Sequence, residues 1–201
     1  MGIGDRAKEW TMERTKRPTA LRSIRVSTRP GRKSQGWLFA GPLAVPVALG
    51  RTGIKADKRE GDGGTPHGRF RPLRLWWRAD RLPRPRTLLP VRRIGPDDAW
   101  CEDPHHRRYN QAYRRSANEP GDRLRRGDDL YDMIIEIDHN TRPRVAGRGS
   151  AVFIHVARPG FAPTAGCVAL PVSQLVDVLR WLEPAQGPQI RMGVNVRAPT
   201  D

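Results

Sequence analysis

Apolar positions alternate, or cluster in short runs, along most of the chain, and turn formers separate them. Ile24 and Val26 alternate with polar neighbours, and an apolar run over residues 37–49 follows the turn sequence Arg29-Pro30-Gly31. Leu73, Leu75 and Trp77 alternate with Arg74, Trp76 and Arg78, the period of two that marks a strand with one buried and one solvated face. Two further runs, residues 133–137 and 151–156, are rich in β-branched residues and predict strand. One segment has helical period. Leu175, Val176, Leu179 and Leu182 recur at steps of three and four, after Ser173 as a candidate N-cap and before Pro184, which stops the pattern. The segment QIRMGVNV then sets Ile190, Met192, Val194 and Val196 on one face of a closing strand. These elements predict a mainly β fold, a sandwich or barrel-like sheet with few short helices. It forms one domain over residues 21–201, behind a polar basic tail at residues 1–20.

Composition narrows the class without changing that architecture. A chain of 201 residues buries enough surface to hold a core unaided, and two cysteines exclude a disulfide-stapled scaffold. Mean hydropathy is low at −0.68, yet the 20 Gly and 19 Pro fall between apolar runs, as punctuation in a folded, loop-rich protein. No internal repeat, P-loop, Rossmann glycine pattern or metalloprotease helix motif is present. The longest apolar run, residues 37–49, is broken by Pro42 and Pro46 and falls short of the roughly 18–20 residues of a transmembrane helix. Read as a secretory signal it starts late, after a long polar lead, so a buried strand pair is the favoured reading and no clear export signal is seen.

Charge adds a second candidate function. The formal net charge is +16, and only five of the 37 basic residues are lysine. Residues 69–93 hold nine arginines with Trp76 and Trp77, and Asp80 is the only acid among them. Such a patch fits a polyanion or nucleic acid, although no nucleic-acid-binding motif accompanies it, and arginine bias in the coding background explains the excess equally well.

Chemistry concentrates in FIHVARPGFAPTAGCVAL, residues 153–170. His155 stands near the end of an apolar strand, and Cys167 follows across a loop rich in Pro and Gly, long enough to turn back and bring thiol and imidazole together. A thiol needs a neighbouring imidazolium to hold it as the reactive thiolate at neutral pH, and Gly166, without a Cβ, leaves the amides beside Cys167 open toward a developing oxyanion. Spacing alone fits a buried structural cysteine and a core histidine as well.

The string TAGCV, after a strand ending in IH, resembles the signature of the L,D-transpeptidase catalytic domain, the YkuD-like cysteine acyltransferases. GDGGTPHGRF over residues 61–70 is similar to that family's T-P-x-G-x-F element. ALGRTGI over 48–54, DPHHRRYN over 103–110 and LYDMIIEIDHN over 130–140 resemble the linking segments of a compact bacterial branch. The resemblance implies a YkuD-like β-sandwich and peptidoglycan stem peptides as substrates. It implies no cofactor, no metal, no obligate nucleic acid partner and a cell-envelope location. By it, Cys167 attacks the L,D-peptide bond before D-Ala, His155 carries the proton, and the carbonyl of Val156 orients the imidazole. The amides of Cys167, Gly166 and Ala165 face the oxyanion, and an amine or water resolves the thioester.

The chain departs from the family pattern S-H-G-C-I/V-R. Thr164 keeps a hydroxyl, but Ala165 replaces a histidine and Ala169 an arginine, so carboxylate binding falls to another residue, with Arg158 in the same loop as first candidate. Tyr109 and Asn110 are candidates to hydrogen-bond a stem peptide or to cap loops, and Trp100 and Asp103 share that segment. His105 and His106 point apart on an extended backbone, and no second cysteine follows Cys101 at zinc-ligand spacing, so Cys101 is expected as a buried thiol. A member that binds wall peptides without turnover is a third reading.

Overall fold

A computed structural model describes residues 23–182 and 184–193. The tail expected at residues 1–20, and Val194 and Val196 of the closing strand, lie outside the described residues. Ten strands make one mixed sheet, in the order Gly68–Phe70, Gln189–Gly193, Ser23–Arg29, Arg32–Ala40, Leu43–Ala48, Val168–Leu170, Phe153–Val156, Met133–Ile137, Pro72–Trp77 and Val91–Arg93. Gly68–Phe70 lies at one end of this order and Pro72–Trp77 next to the other end, yet only Arg71 separates them in the chain. The sheet therefore curls until its two ends are covalent neighbours. Arg71 N–H donates to Asp138 Oδ1 at 2.7 Å, and Asp138 N–H donates back to the Arg71 carbonyl at 3.0 Å, which pins the joint to the end of Met133–Ile137.

The curl encloses the main core. Ile24, Val26, Leu38, Val47, Leu75, Met133, Ile135, Ile154, Val168 and Leu170 converge there with Leu175, Val178 and Leu179 of the helix Val172–Trp181. Each such side chain is worth about 1.5–3 kcal/mol relative to exposure. The opposite faces of three of these strands are buried as well. Trp76, Ile134, Phe153 and Cys167 pack against Trp100, Leu124, Leu130 and Tyr131 from the segment that also carries a three-stranded sheet of Asp98–Trp100, Ala112–Arg114 and Asp122–Arg123. Every residue of Met133–Ile137, Phe153–Val156 and Val168–Leu170 is consequently buried, Glu136 and His155 included, which is why these strands are apolar at nearly every position.

Three local expectations change. The alternation over residues 73–78 sets Trp76 and Arg78 in solvent, but the overlying segment buries both, and Arg78 is held by Asp80 at 2.8 Å and by the carbonyl of Arg126 at 2.8 Å. Ser173 does not cap the helix: Pro171, fixed near φ −58°, precedes the first helical residue, and the Ser173 hydroxyl donates to Gln174 Oε1. Val178 rather than Val176 completes the buried stripe. Pro46 is tolerated inside Leu43–Ala48 because that strand pairs with Val168–Leu170 only at Ala48, so the missing N–H falls where the ladder has no partner.

Replacing Asp138 with Ala removes an acceptor of the Arg71 amide and frees the joint. The expected outcome is a loss of about 1–2 kcal/mol in urea unfolding, read as a lower midpoint at unchanged slope.

Candidate active site

Phe153–Val156 and Val168–Leu170 are parallel neighbours, with Ile154 opposite Val168 and His155 opposite Ala169. Side chains directly across a ladder share a face, and those two residues apart along one strand also share it. Ile154 and Val168 thus point into the main core, while Phe153, His155, Cys167 and Ala169 point the other way. Cys167 is the diagonal same-face neighbour of His155. Both side chains are buried in bulk and both line one cavity of about 330 Å³.

The turn before Cys167 is gripped from two directions. Its carbonyl accepts from Thr164 Oγ1 at 2.7 Å and from Thr65 Oγ1 at 3.4 Å, while Thr65 Oγ1 also accepts the Gly50 amide at 2.9 Å. Thr164 pairs with the strand end at Leu49 and Arg51 through hydrogen bonds of 2.9 and 3.0 Å. Residues 48–54, 61–70 and 164–167, far apart in sequence, thereby become one backbone cluster. Gly166 is required at its centre: it sits at φ 149°, and a Cβ there would stand 2.8 Å from the Gly64 carbonyl oxygen. Its amide is committed to Thr164 Oγ1 at 3.1 Å, so Gly166 serves the turn's shape rather than supplying the oxyanion donor expected of it.

Lys58, which sequence reasoning passed over, lies beneath this turn. It is almost fully buried, lines the cavity, and donates to Asp62 Oδ1 at 2.8 Å and to the Arg59 carbonyl at 2.6 Å. Burial works against the Asp62 charge, but hydrogen bonds from Lys58 Nζ, Arg59 N and Gly64 N hold its carboxyl well below the usual range. The one trace of it in the sequence is the four-residue spacing of Lys58 and Asp62.

His155 Nδ1 lies 2.8 Å from the carbonyl of Val156. A carbonyl can only accept, so Nδ1 carries the proton and Nε2 is left as the basic nitrogen. Burial pushes this imidazole down to about 4, the Val156 carbonyl acting in the opposite direction. Burial also pushes the Cys167 thiol up to about 12, against the hydrogen bond from Phe153 N. The resting pair is therefore neutral thiol and neutral imidazole, not the thiolate and imidazolium expected from sequence. The thiol donates to the carbonyl of Ala151 at 3.2 Å, and among the described residues no hydrogen bond joins Sγ to the imidazole. Tyr131 packs edge-on against the His155 ring at 5.4 Å and sends its hydroxyl to Asp122 at 2.7 Å.

Of the other expected residues, Thr164, Ala165 and Arg158 line the cavity beside Cys167, whereas Tyr109 and Asn110 do not. Asn110 is saturated: Oδ1 accepts from Trp100 Nε1 at 2.9 Å and Ala151 N at 3.2 Å, and Nδ2 donates to the carbonyls of His139 and Asn140 at 3.0 and 2.9 Å. A side chain with all four positions filled has none for substrate, so its part is to fix Ala151, a non-glycine residue at φ 50° whose carbonyl holds the thiol. Tyr109 is likewise engaged, donating to Glu60 and accepting the Gly149 amide at 3.1 Å. Trp100 is core, and Asp103 accepts the His105 amide at 2.9 Å. Cys101 is a buried free thiol, and His105 and His106 are exposed. The arginine patch is largely neutralised or stacked: Arg71, Arg74, Arg78, Arg81 and Arg92 each face a carboxylate, and Trp76 and Trp77 are buried and cannot stack on bases.

Two outcomes test this arrangement. Asn110→Asp places a carboxylate against two carbonyl oxygens, and thermal or urea unfolding should show a loss of roughly 3 kcal/mol. His139, also pushed down to about 4 by burial, takes up in the unfolded chain a proton that the native site refuses. Stability from this residue is present above about pH 6.5 and lost as pH falls toward 4. The raised carboxyls Glu102, Asp122 and Glu136 have the opposite sign, so the difference between wild type and His139→Gln isolates it. The variant's unfolding free energy should fall less steeply between pH 6.5 and 4.

Against known proteins, the family model of the L,D-transpeptidase catalytic domain (YkuD) matches residues 33–194. No curated protein and no solved structure matches the chain. The match takes in the gripped turn, both strands of the parallel pair and the helix behind them, and the chain belongs to the L,D-transpeptidase catalytic domain family.

Proposed function

We propose that the protein is a cysteine acyltransferase acting on peptidoglycan stem peptides in the cell envelope, with Cys167 as nucleophile and His155 as general base. The observation that carries this reading is the sharing of one face, and one cavity, by a thiol and an imidazole whose Nδ1 is occupied by a backbone carbonyl. Both groups rest neutral, so the reaction starts with proton transfer coupled to attack. Rotation about χ1 carries Sγ from the Ala151 carbonyl toward Nε2, which takes the thiol proton as Sγ bonds to the carbonyl carbon before D-Ala. The oxyanion meets the amides of Cys167 and Ala165, Gly166 N–H being engaged elsewhere. Collapse breaks the C–N bond, His155 protonates the leaving D-Ala amine, and a thioester remains. An acceptor amine then gives a 3-3 crosslink, and water gives a carboxypeptidase product. Arg158, on the cavity wall, is the residue for a substrate carboxylate in place of the arginine that Ala169 lacks.

Incubation with disaccharide tetrapeptide, followed by intact-protein mass spectrometry, should show an acyl adduct with loss of D-Ala in wild type and none in Cys167→Ala. His155→Ala should slow adduct formation at least about 100-fold. An imidazole pushed down to about 4 stays basic through neutral pH, so the acid limb of kcat/KM for adduct formation should lie near pH 4 rather than 6.5. Turnover by Cys167→Ala would overturn the mechanism.

A further inference from the structure

Three carboxylates face the cavity of Cys167: Glu60, Asp122 and Glu102. Two are already satisfied. Glu60 accepts from the Tyr109 hydroxyl and from Ser150 Oγ at 2.7 Å, and Asp122 accepts from the Tyr131 hydroxyl at 2.7 Å and lies 3.5 Å from Arg126 Nη1. Glu102 has no hydrogen bond or ion pair among the described residues. It is also the one residue that borders both this cavity and a second one of about 250 Å³, whose wall carries Asp103, His106 and Glu119. The second space is acidic and holds no partner for the Glu102 charge. Glu102 stands exposed at the rim where the two cavities meet, and partial desolvation by their walls, with the charges of Asp122 and Glu60 adding to it, pushes its carboxyl above its ordinary value.

Its position has a chemical cost that points to its use. The Glu102 charge raises the Cys167 thiol further and so opposes formation of the nucleophile. A carboxylate that hinders the first half of the reaction is intelligible where it serves the second. We propose that Glu102 is the residue that selects the acceptor: it binds the ammonium group of an amine-bearing peptide lodged in the second cavity and directs it at the Cys167 thioester. This rests on the acyltransferase reading above. The ammonium gives one proton to the Glu102 carboxylate, and the freed nitrogen attacks the thioester carbonyl. The C–N bond forms as the C–S bond breaks, and the nitrogen's second proton passes through His155 to the departing sulfur. Glu102 then releases its proton to solvent, and atoms and charge balance. The cationic side chains of the cavity divide the work in the complementary sense. Lys58 is already tied to Asp62 and Arg126 to Asp128, at 2.8 Å each, and Arg51 donates to the Gly61 carbonyl at 3.1 Å, so Arg158, in the loop that leads to Cys167, serves the donor's carboxylate and Glu102 the acceptor's amine.

The test compares wild type, Glu102→Gln and Glu102→Asp with disaccharide tetrapeptide as donor and a stem tripeptide carrying a free side-chain amine as acceptor. Adduct formation on Cys167, the ratio of amide to hydrolysis product, and resolution by hydroxylamine, which is uncharged at neutral pH, are measured together. In Glu102→Gln the adduct should form at least as fast as in wild type, while the amide-to-hydrolysis ratio falls about tenfold or more. Hydroxylamine should resolve the thioester equally in both, and Glu102→Asp should recover most of the ratio. An unchanged ratio in Glu102→Gln, or an equal fall with hydroxylamine, overturns the assignment while acyl transfer stands. Absence of any Cys167 adduct in wild type removes the acyltransferase reading and this inference with it.

Discussion

Parallel pairing between Phe153–Val156 and Val168–Leu170 is the constraint on which the rest depends. A parallel pair cannot be closed by a tight turn, so the chain must leave the sheet and return, and residues 157–167 are that excursion. The register that sets Ile154 against Val168 sends two side chains into the main core and, by the same alternation, sends His155 and Cys167 into the second cluster. A slip of one residue on either strand would exchange these faces and bury the thiol among Leu38 and Leu75. The apolar contacts of one face therefore hold the polar groups of the other, and the core's packing energy is what keeps the imidazole and thiol adjacent.

Burial on both faces then governs the electrostatics. Phe153, Trp100 and Tyr131 crowd the space around His155 and Cys167, with ring contacts of 4.9 and 5.4 Å, and leave little solvent to support charge. Nature's answer in this site is a set of directed hydrogen bonds rather than a permanent ion pair. The Val156 carbonyl fixes the imidazole tautomer, the Ala151 carbonyl receives the thiol, and Asn110 fixes Ala151 in turn. Buried charge is kept where full pairing is available, as at Lys58 and Asp62.

Much of this was legible in the sequence, and the exceptions have physical reasons. The strands over 24–49, 133–137 and 151–156 are visible because their apolar runs answer to local periodicity, and His155, Gly166, Cys167 and Thr164 are visible because their order carries the turn's geometry. Trp76 and Arg78 were misplaced because a period of two assumes one dry face, and the covering segment over residues 94–131 has no strong periodicity to announce itself. The short strands in that segment, of two or three residues, fall below what alternation can mark. In sequence Asn110 is a candidate substrate contact or loop cap, because a polar residue in an aperiodic stretch gives no sign that four buried partners await it. Lys58 was missed because lysine is so rarely interior, and its burial depends on Asp62 and on two backbone turns that only the folded chain brings over it.

The joint at Arg71 gives the molecule a mechanical property of its own. In an open sheet an edge strand can fray while its neighbours hold. Here the strand that begins at Gly68 serves the first position of the sheet and, past one residue, becomes Pro72–Trp77 near the last. Displacing Gln189–Gly193 at one end loads the continuous stretch 68–77, whose other end pairs with Met133–Ile137. The protein thus behaves as a hoop rather than a stack of layers, and amide exchange in strands on both sides of that clasp should report a single opening event.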